Sequence, residues 1–245
     1  MTSWCDKLAS VPSAGFRYDH SYLPRQIVLD SLLPILDANA TDEGPVFEVS
    51  KSDDFNVEIN LESGFKYGVD PSRVHVAFNH RMKIRNVSGN APKVEMISKP
   101  QPFTKLLPEV ISRLISASSL LPGIEKRRLR RIGTTATTPV DEGDLPPGLA
   151  RFLAYLGKPW NGLTGGFSVQ LTGEIQETNS FKDRCIHTFL RSEKEDEVMS
   201  VQFDFQRTFK EPKIVDVDTL KGLSERVERD SLDYFERLAE GNMFE

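Results

Sequence analysis

Cysteine is scarce, with two in 245 residues. Cys5 and Cys185 cannot build a disulfide framework, which excludes a small cross-linked secreted fold and points to a reducing compartment. Histidine is scarce too. His20, His75, His80 and His187 are scattered, and no His-Glu-x-x-His, paired Cys-x-x-Cys, phosphate-cradling Gly-x-x-x-x-Gly-Lys or Gly-x-Ser-x-Gly elbow occurs. No apolar run approaches the roughly 20 residues of a membrane helix. The opening Met1-Thr2-Ser3-Trp4-Cys5-Asp6 has neither the basic nor the apolar part of a secretory signal. The expectation is a cytoplasmic protein with no membrane partner. Neither sign of charge dominates: 31 Lys and Arg stand against 36 Asp and Glu, a net −5. The whole molecule is therefore no polycation, and a nucleic-acid role needs a local patch.

What is present is strand patterning punctuated by helices. Residues 1–22 lack a period and read as a mobile N-terminal arm. Pro24 opens a helix that Pro34 kinks or ends. Strands follow at Val46–Val49, Phe55–Leu61, Arg73–His80 and Met82–Val87, with turn chemistry at Ser63-Gly64 and Val69-Asp70-Pro71. An edge strand is expected at Val94–Ile97 and a helix at about Phe103–Leu121. After Pro122-Gly123 the pattern resumes with a strand over Ile124–Thr138 and a short helix over Gly148–Leu156. Strands then come at Phe167–Ile175 and Arg184–Arg191.

The last quarter is the clearest. Val201, Phe203, Phe205 and Phe209 alternate with polar residues, as in a half-buried strand. Pro212 breaks the pairing, Ile214–Val217 makes a second short strand, and Asp218 or Thr219 caps a helix from Leu220. Leu223, Val227, Leu232 and Phe235 give that helix its apolar stripe. The fold class is α+β: two antiparallel β-rich halves, 23–122 and 123–245, each closed by a helix. Duplication of one unit is one reading of that likeness.

The sharpest local feature is Lys126-Arg127-Arg128-Leu129-Arg130-Arg131. On a strand Lys126, Arg128 and Arg130 share one face, with Arg127 and Arg131 beside Leu129 on the other. Such a stripe neutralises phosphates, or it is a solvated strand face among acidic neighbours. Asp216-Val217-Asp218 invites a metal, yet paired carboxylates need further oxygen ligands, so helix capping is the simpler reading and no metal or cofactor is expected. Trp160, beside Pro159 in a loop, is an anchor for a protein partner or a residue tucked on the core.

Three stretches taken together resemble a known pattern. They are Leu129-Arg130-Arg131-Ile132-Gly133 running into Thr134–Thr138, Leu145-Pro146-Pro147 with Phe152-Leu153, and Ile214–Asp218 with Leu232, Phe235 and Phe244. This is similar to a sporadically distributed family of bacterial proteins of about this length. Its Arg-Ile-Gly strand normally continues into Arg-Tyr, where this chain has Thr134-Thr135. The resemblance implies an accessory or defence-associated role near mobile elements and supplies no catalytic residues. The expectation is thus a non-enzymatic binding or assembly protein that joins a protein partner or itself. The alternative is a nucleic-acid-associated factor working through Lys126, Arg127, Arg128, Arg130 and Arg131.

Overall fold

The computed structural model describes residues 4–7, 10–19, 23–38, 40–41, 44–45, 47–80, 82–85, 93–96, 101–145, 147–157, 166–191 and 198–240. In chain order the elements are α1 (Trp4–Lys7), β1 (Val11–Tyr18), α2 (Arg25–Asp37), β2 (Ala40–Thr41), β3 (Gly44–Pro45), β4 (Phe47–Ser52) and β5 (Val57–Leu61). Then come β6 (Phe65–Asp70), β7 (Arg73–Phe78), β8 (Met82–Arg85), β9 (Lys93–Met96) and α3 (Phe103–Leu120). The second half contributes β10 (Arg128–Asp141), α4 (Pro147–Gly157), β11 (Phe167–Glu177), β12 (Phe181–Arg191), β13 (Val198–Ile214) and α5 (Val217–Glu240). The class is α+β, as the sequence suggests.

Nine strands form one antiparallel sheet in the order β11-β12-β13-β10-β1-β7-β6-β5-β4, and β2-β3 and β8-β9 make two small hairpins. Both halves share the large sheet, joined where β1 pairs with β10. The first half runs strand, helix, meander, helix (β1, α2, β4 to β7, α3). The second runs β10, α4, β11 to β13, α5 in the same order. Helix α3 packs on β1 and β7, α5 packs on β10 and β13, and the two helices lie against each other.

Residues 11–18, expected in an arm, form the central strand β1. Pro12, Ala14, Phe16 and Tyr18 are buried while Arg17 is exposed. Small residues on both faces hide the period from a reading of hydropathy. Strand β6 also escapes the sequence reading, because Gly68 looks like a breaker. Its glycine serves a close approach instead: a Cβ there would sit 2.0 Å from Cε1 of His75. Pro212 does not end its strand either. Between β10 and β13 the register jumps from Arg131↔Thr208 to Leu129↔Lys213, so residues 209–212 bulge and pairing resumes beyond the proline. Ile214–Val217 is consequently no second strand. Helix α5 begins at Val217, and its cap is Asp216, whose Oδ1 accepts the Thr219 amide at 2.7 Å.

The core lies between the sheet and the helices. Phe103, Leu106, Leu107, Val110 and Leu114 of α3 are fully covered, as are Phe203 of β13 and Val227 and Phe235 of α5. Under α5 the imidazole of His187 is stacked on Tyr234, with its Nε2 2.6 Å from the phenol oxygen. Burial lowers the His187 pKa to about 4. A histidine titrates near 6.5 in an unfolded chain, so acid favours unfolding. This contribution is complete above pH 6.5 and is lost as the pH falls toward 4. Denaturant titrations at pH 7 and pH 5 should show a lower midpoint at pH 5, with a shallower fall in His187→Phe. An equal fall in the variant would remove His187 as the cause.

Candidate functional site

Among the described residues the helices lie on one face of the sheet. The other face carries the alternate side chains of each strand, and its middle is cationic. Register places Arg73 of β7 beside Arg17 of β1, and Arg17 beside Arg131 of β10. Adjacent strands stand about 4.8 Å apart, so three guanidinium stems form one row across three strands. Like charges placed directly opposite destabilise a sheet. The next row is His75, Gly15, Gly133 and Gln206, and the row after that is Ala77, Ser13, Thr135 and Asp204.

These rows enclose a cleft of about 170 Å³ whose lining includes Arg17, Arg73, Arg131, Gly15, Gly133 and Asp204. A second cleft of about 330 Å³ adjoins it and is lined by Arg131, Arg184, Lys182, Lys210, Gln206, Thr208 and Glu174. Arg131 and Gln206 form the shared wall: the Arg131 Nη1 donates to Gln206 Oε1 at 2.8 Å, and Gln206 Nε2 donates to Asp204 Oδ2 at 2.6 Å. Several cations on this face are already compensated. Arg73 meets Asp70 at 3.5 Å, Lys66 meets Glu58 at 2.8 Å, Lys210 meets Glu177 at 2.7 Å, and Lys182 pairs with Glu174. Among the described residues no carboxylate stands within ion-pair distance of Arg17, Arg131 or Arg184.

The electrostatics follow from that placement. Burial, and then the charges of Arg17, Arg184 and Arg73, lower the proton affinity of Arg131, with Asp204 opposing. Burial raises the Asp204 pKa despite its Gln206 hydrogen bond and the nearby Arg131 and Arg184. Burial, with Arg73 next, lowers the pKa of His75 to about 4, so its ring is neutral at pH 7. Among the described residues the His75 Nδ1 has no hydrogen-bond partner. Such a surface can hold anions; a nucleophile paired with a base is not among its described groups.

The basic run expected as one stripe is divided by the fold. Lys126 ends a 3₁₀ turn and is exposed, before the strand begins. Arg127 Nη2 turns back to donate to the Pro122 carbonyl at 3.3 Å. Arg128 is exposed at the strand start, and Arg130 pairs with Asp19. A register shift between Leu129 and Arg131 breaks the alternation on which the two-faced stripe rested. Only Arg131 enters the clefts. Arg17, Arg73 and Arg184, which join it there, were missed: Arg17 lay in the presumed arm, and the others are single charges in alternating strands. The signal was available in Ser13-x-Gly15-x-Arg17 set against Ala14-x-Phe16. Trp160 lies outside the described residues. Asp216 is the helix cap described above, and among the described residues no group of three or more His, Cys, Asp or Glu could hold a metal ion. No described helix is long and apolar enough to cross a membrane.

Comparison with protein-family models, curated proteins and solved structures finds no match for this chain.

Proposed function

We propose that this chain is a non-enzymatic binding protein that lays a nucleic acid across the open face of its sheet. The observation that carries the reading is the row Arg73, Arg17, Arg131, continued by Arg184 and Lys182 two strands further on. The row spans five adjacent strands, about 19 Å at the usual strand spacing, which is the reach of several phosphates. In a chain of net charge −5, cations gathered this way are segregated by position. Arg17 and Arg131, which stand directly opposite and meet no carboxylate among the described residues, repel each other in the free protein and are relieved when phosphates replace water between them.

The test is anisotropy of a labelled duplex of about 20 base pairs, titrated between 50 and 200 mM salt. A log–log slope of about −3 to −4 is expected, the value for three or four neutralised phosphates. Arg17→Glu with Arg131→Glu should weaken binding more than tenfold and reduce the slope by about 2. The double substitution sets two carboxylates directly opposite each other where two guanidiniums stood, so the unfolding midpoint is read beside binding to show that the variant is folded. Lys126→Glu with Arg128→Glu lies outside both clefts and should change affinity less than about twofold. No salt-dependent binding by the wild type, or equal binding by the Arg17 and Arg131 variant, ends the proposal.

We read the halves as two copies of one strand–helix–meander–helix unit, a reading supported by their matched order and by helices α3 and α5 taking equivalent places. The smaller cleft then lies where the copies meet. The family resemblance adds a context, an accessory component of a bacterial defence or mobile-element system working in the cytoplasm. Strand β11 ends the sheet with Val169, Leu171 and Ile175 only half-buried, which favours edge pairing with a protein partner or a second copy. Light scattering with and without duplex tests the second copy; a monomer in both removes it.

A further inference from the structure

The floor of the smaller cleft is a pair of glycines facing each other across β1 and β10. Gly15 is in register with Gly133, so the sheet offers bare backbone at this one point between rows of side chains. A Cβ added to Gly133 would lie 3.5 Å from the Phe205 carbonyl oxygen, in ordinary contact, so packing does not demand glycine there. The φ of neither residue is in the left-handed region. Neither conformation nor crowding accounts for Gly133; what the missing side chain provides is room above the sheet.

That room is bounded on one side by Arg17, Arg73 and Arg131 and on the other by Ser13 and Thr135, whose hydroxyl oxygens are 2.5 Å apart. At about 170 Å³ it is smaller than the roughly 300 Å³ at which pockets for whole small ligands begin. It therefore suits one charged group. An internal phosphodiester carries a single charge, which one guanidinium balances. A phosphomonoester carries about −1.5 to −2 at pH 7 and three strong acceptor oxygens, which suits several converging donors.

We propose that the Gly15–Gly133 floor, flanked by Arg17, Arg73 and Arg131 and by the Ser13 and Thr135 hydroxyls, seats the terminal phosphate of a nucleic-acid strand. This rests on the nucleic-acid reading above and narrows it from backbone to strand end. Asp204 lines the same cleft and opposes an anion; Gln206 holds its carboxylate by the hydrogen bond already described. Asp204→Asn therefore tightens the phosphorylated end.

The experiment compares two duplexes of one sequence, one with a 5′-phosphate and one with a 5′-hydroxyl, each labelled at the far end, against the full chain at one salt concentration. The phosphorylated duplex should bind at least tenfold tighter. The ratio should shrink from pH 7.5 to pH 5.5 as the monoester dianion takes up one proton near pH 6 and becomes a monoanion. Gly133→Val fills the floor without changing charge and should bring the ratio to one, and Gly15→Ala should lower it. Equal affinity for both ends of the wild type overturns this inference and leaves the proposed function standing. Binding to neither overturns both. A ratio that survives Gly133→Val places the preference elsewhere. Competition by a free nucleoside monophosphate as strong as by the phosphorylated duplex would show a nucleotide site instead.

Discussion

Asp183→Ala should lower the free energy of unfolding by about 3–5 kcal/mol, the usual loss when a buried ion pair is left with one member. Arg207 stands in the core row of β13 between Phe205 and Phe209 and is 5% exposed. Its Nε and Nη2 donate to the two carboxylate oxygens of Asp183 on β12 at 2.8 and 2.5 Å, and Nη2 also reaches Asp230 of α5 at 2.9 Å. The Phe181 ring lies 4.0 Å from the guanidinium carbon. Burial alone would weaken the hold of Arg207 on its proton, but the two carboxylates outweigh it and raise the pKa. Losing Asp183 leaves that cation under α5 with one half-exposed partner. Urea titration reads the cost directly. Adding Arg207→Leu should restore most of it, since an apolar pair of similar volume is often as stable as the ions. A single-variant loss below about 1 kcal/mol would mean that water reaches the guanidinium.

Phe235→Ala should cost about 3–5 kcal/mol, the range for an aromatic removed from a closed core. Phe235 is fully buried, with its ring centroid 5.9 Å from Phe203 on β13, 6.3 Å from Phe103 on α3 and 6.3 Å from Tyr234. It thus touches the sheet, its own helix and the helix of the other half. One side chain serves both halves, and β1 and β10 share hydrogen bonds, so the variant should still melt in a single transition at a lower temperature. Two separated transitions, in calorimetry of either protein, would show halves that fold independently.

Helices α3, α4 and α5 were legible because their apolar residues recur at helical spacing. Strands β5, β7 and β12 were legible by plain alternation. The rest was hidden for physical reasons. In β1 the buried row includes Pro12 and Ala14, which hydropathy scores as weak. Gly68 resembles a break, although its need is set by a histidine on the next strand. Arg207 breaks the apolar row of β13 in the sequence, and its two carboxylates lie 24 and 23 residues away. The open-face site could not be read from any one stretch. Its arginines come from β7, β1, β10 and β12, and only strand register brings them together.

The partnership of β1 with β10 also sets a timetable for the newborn chain. Ser13 meets Thr135 across a separation of 122 residues. At the usual pace of the ribosome, about 5–20 residues per second, that interval lasts about 6 to 24 s. During it the flank of β1 that will receive β10 has no permanent neighbour. Another ladder of amides can dock there first, so an early meander from one nascent chain risks capturing the same flank on another.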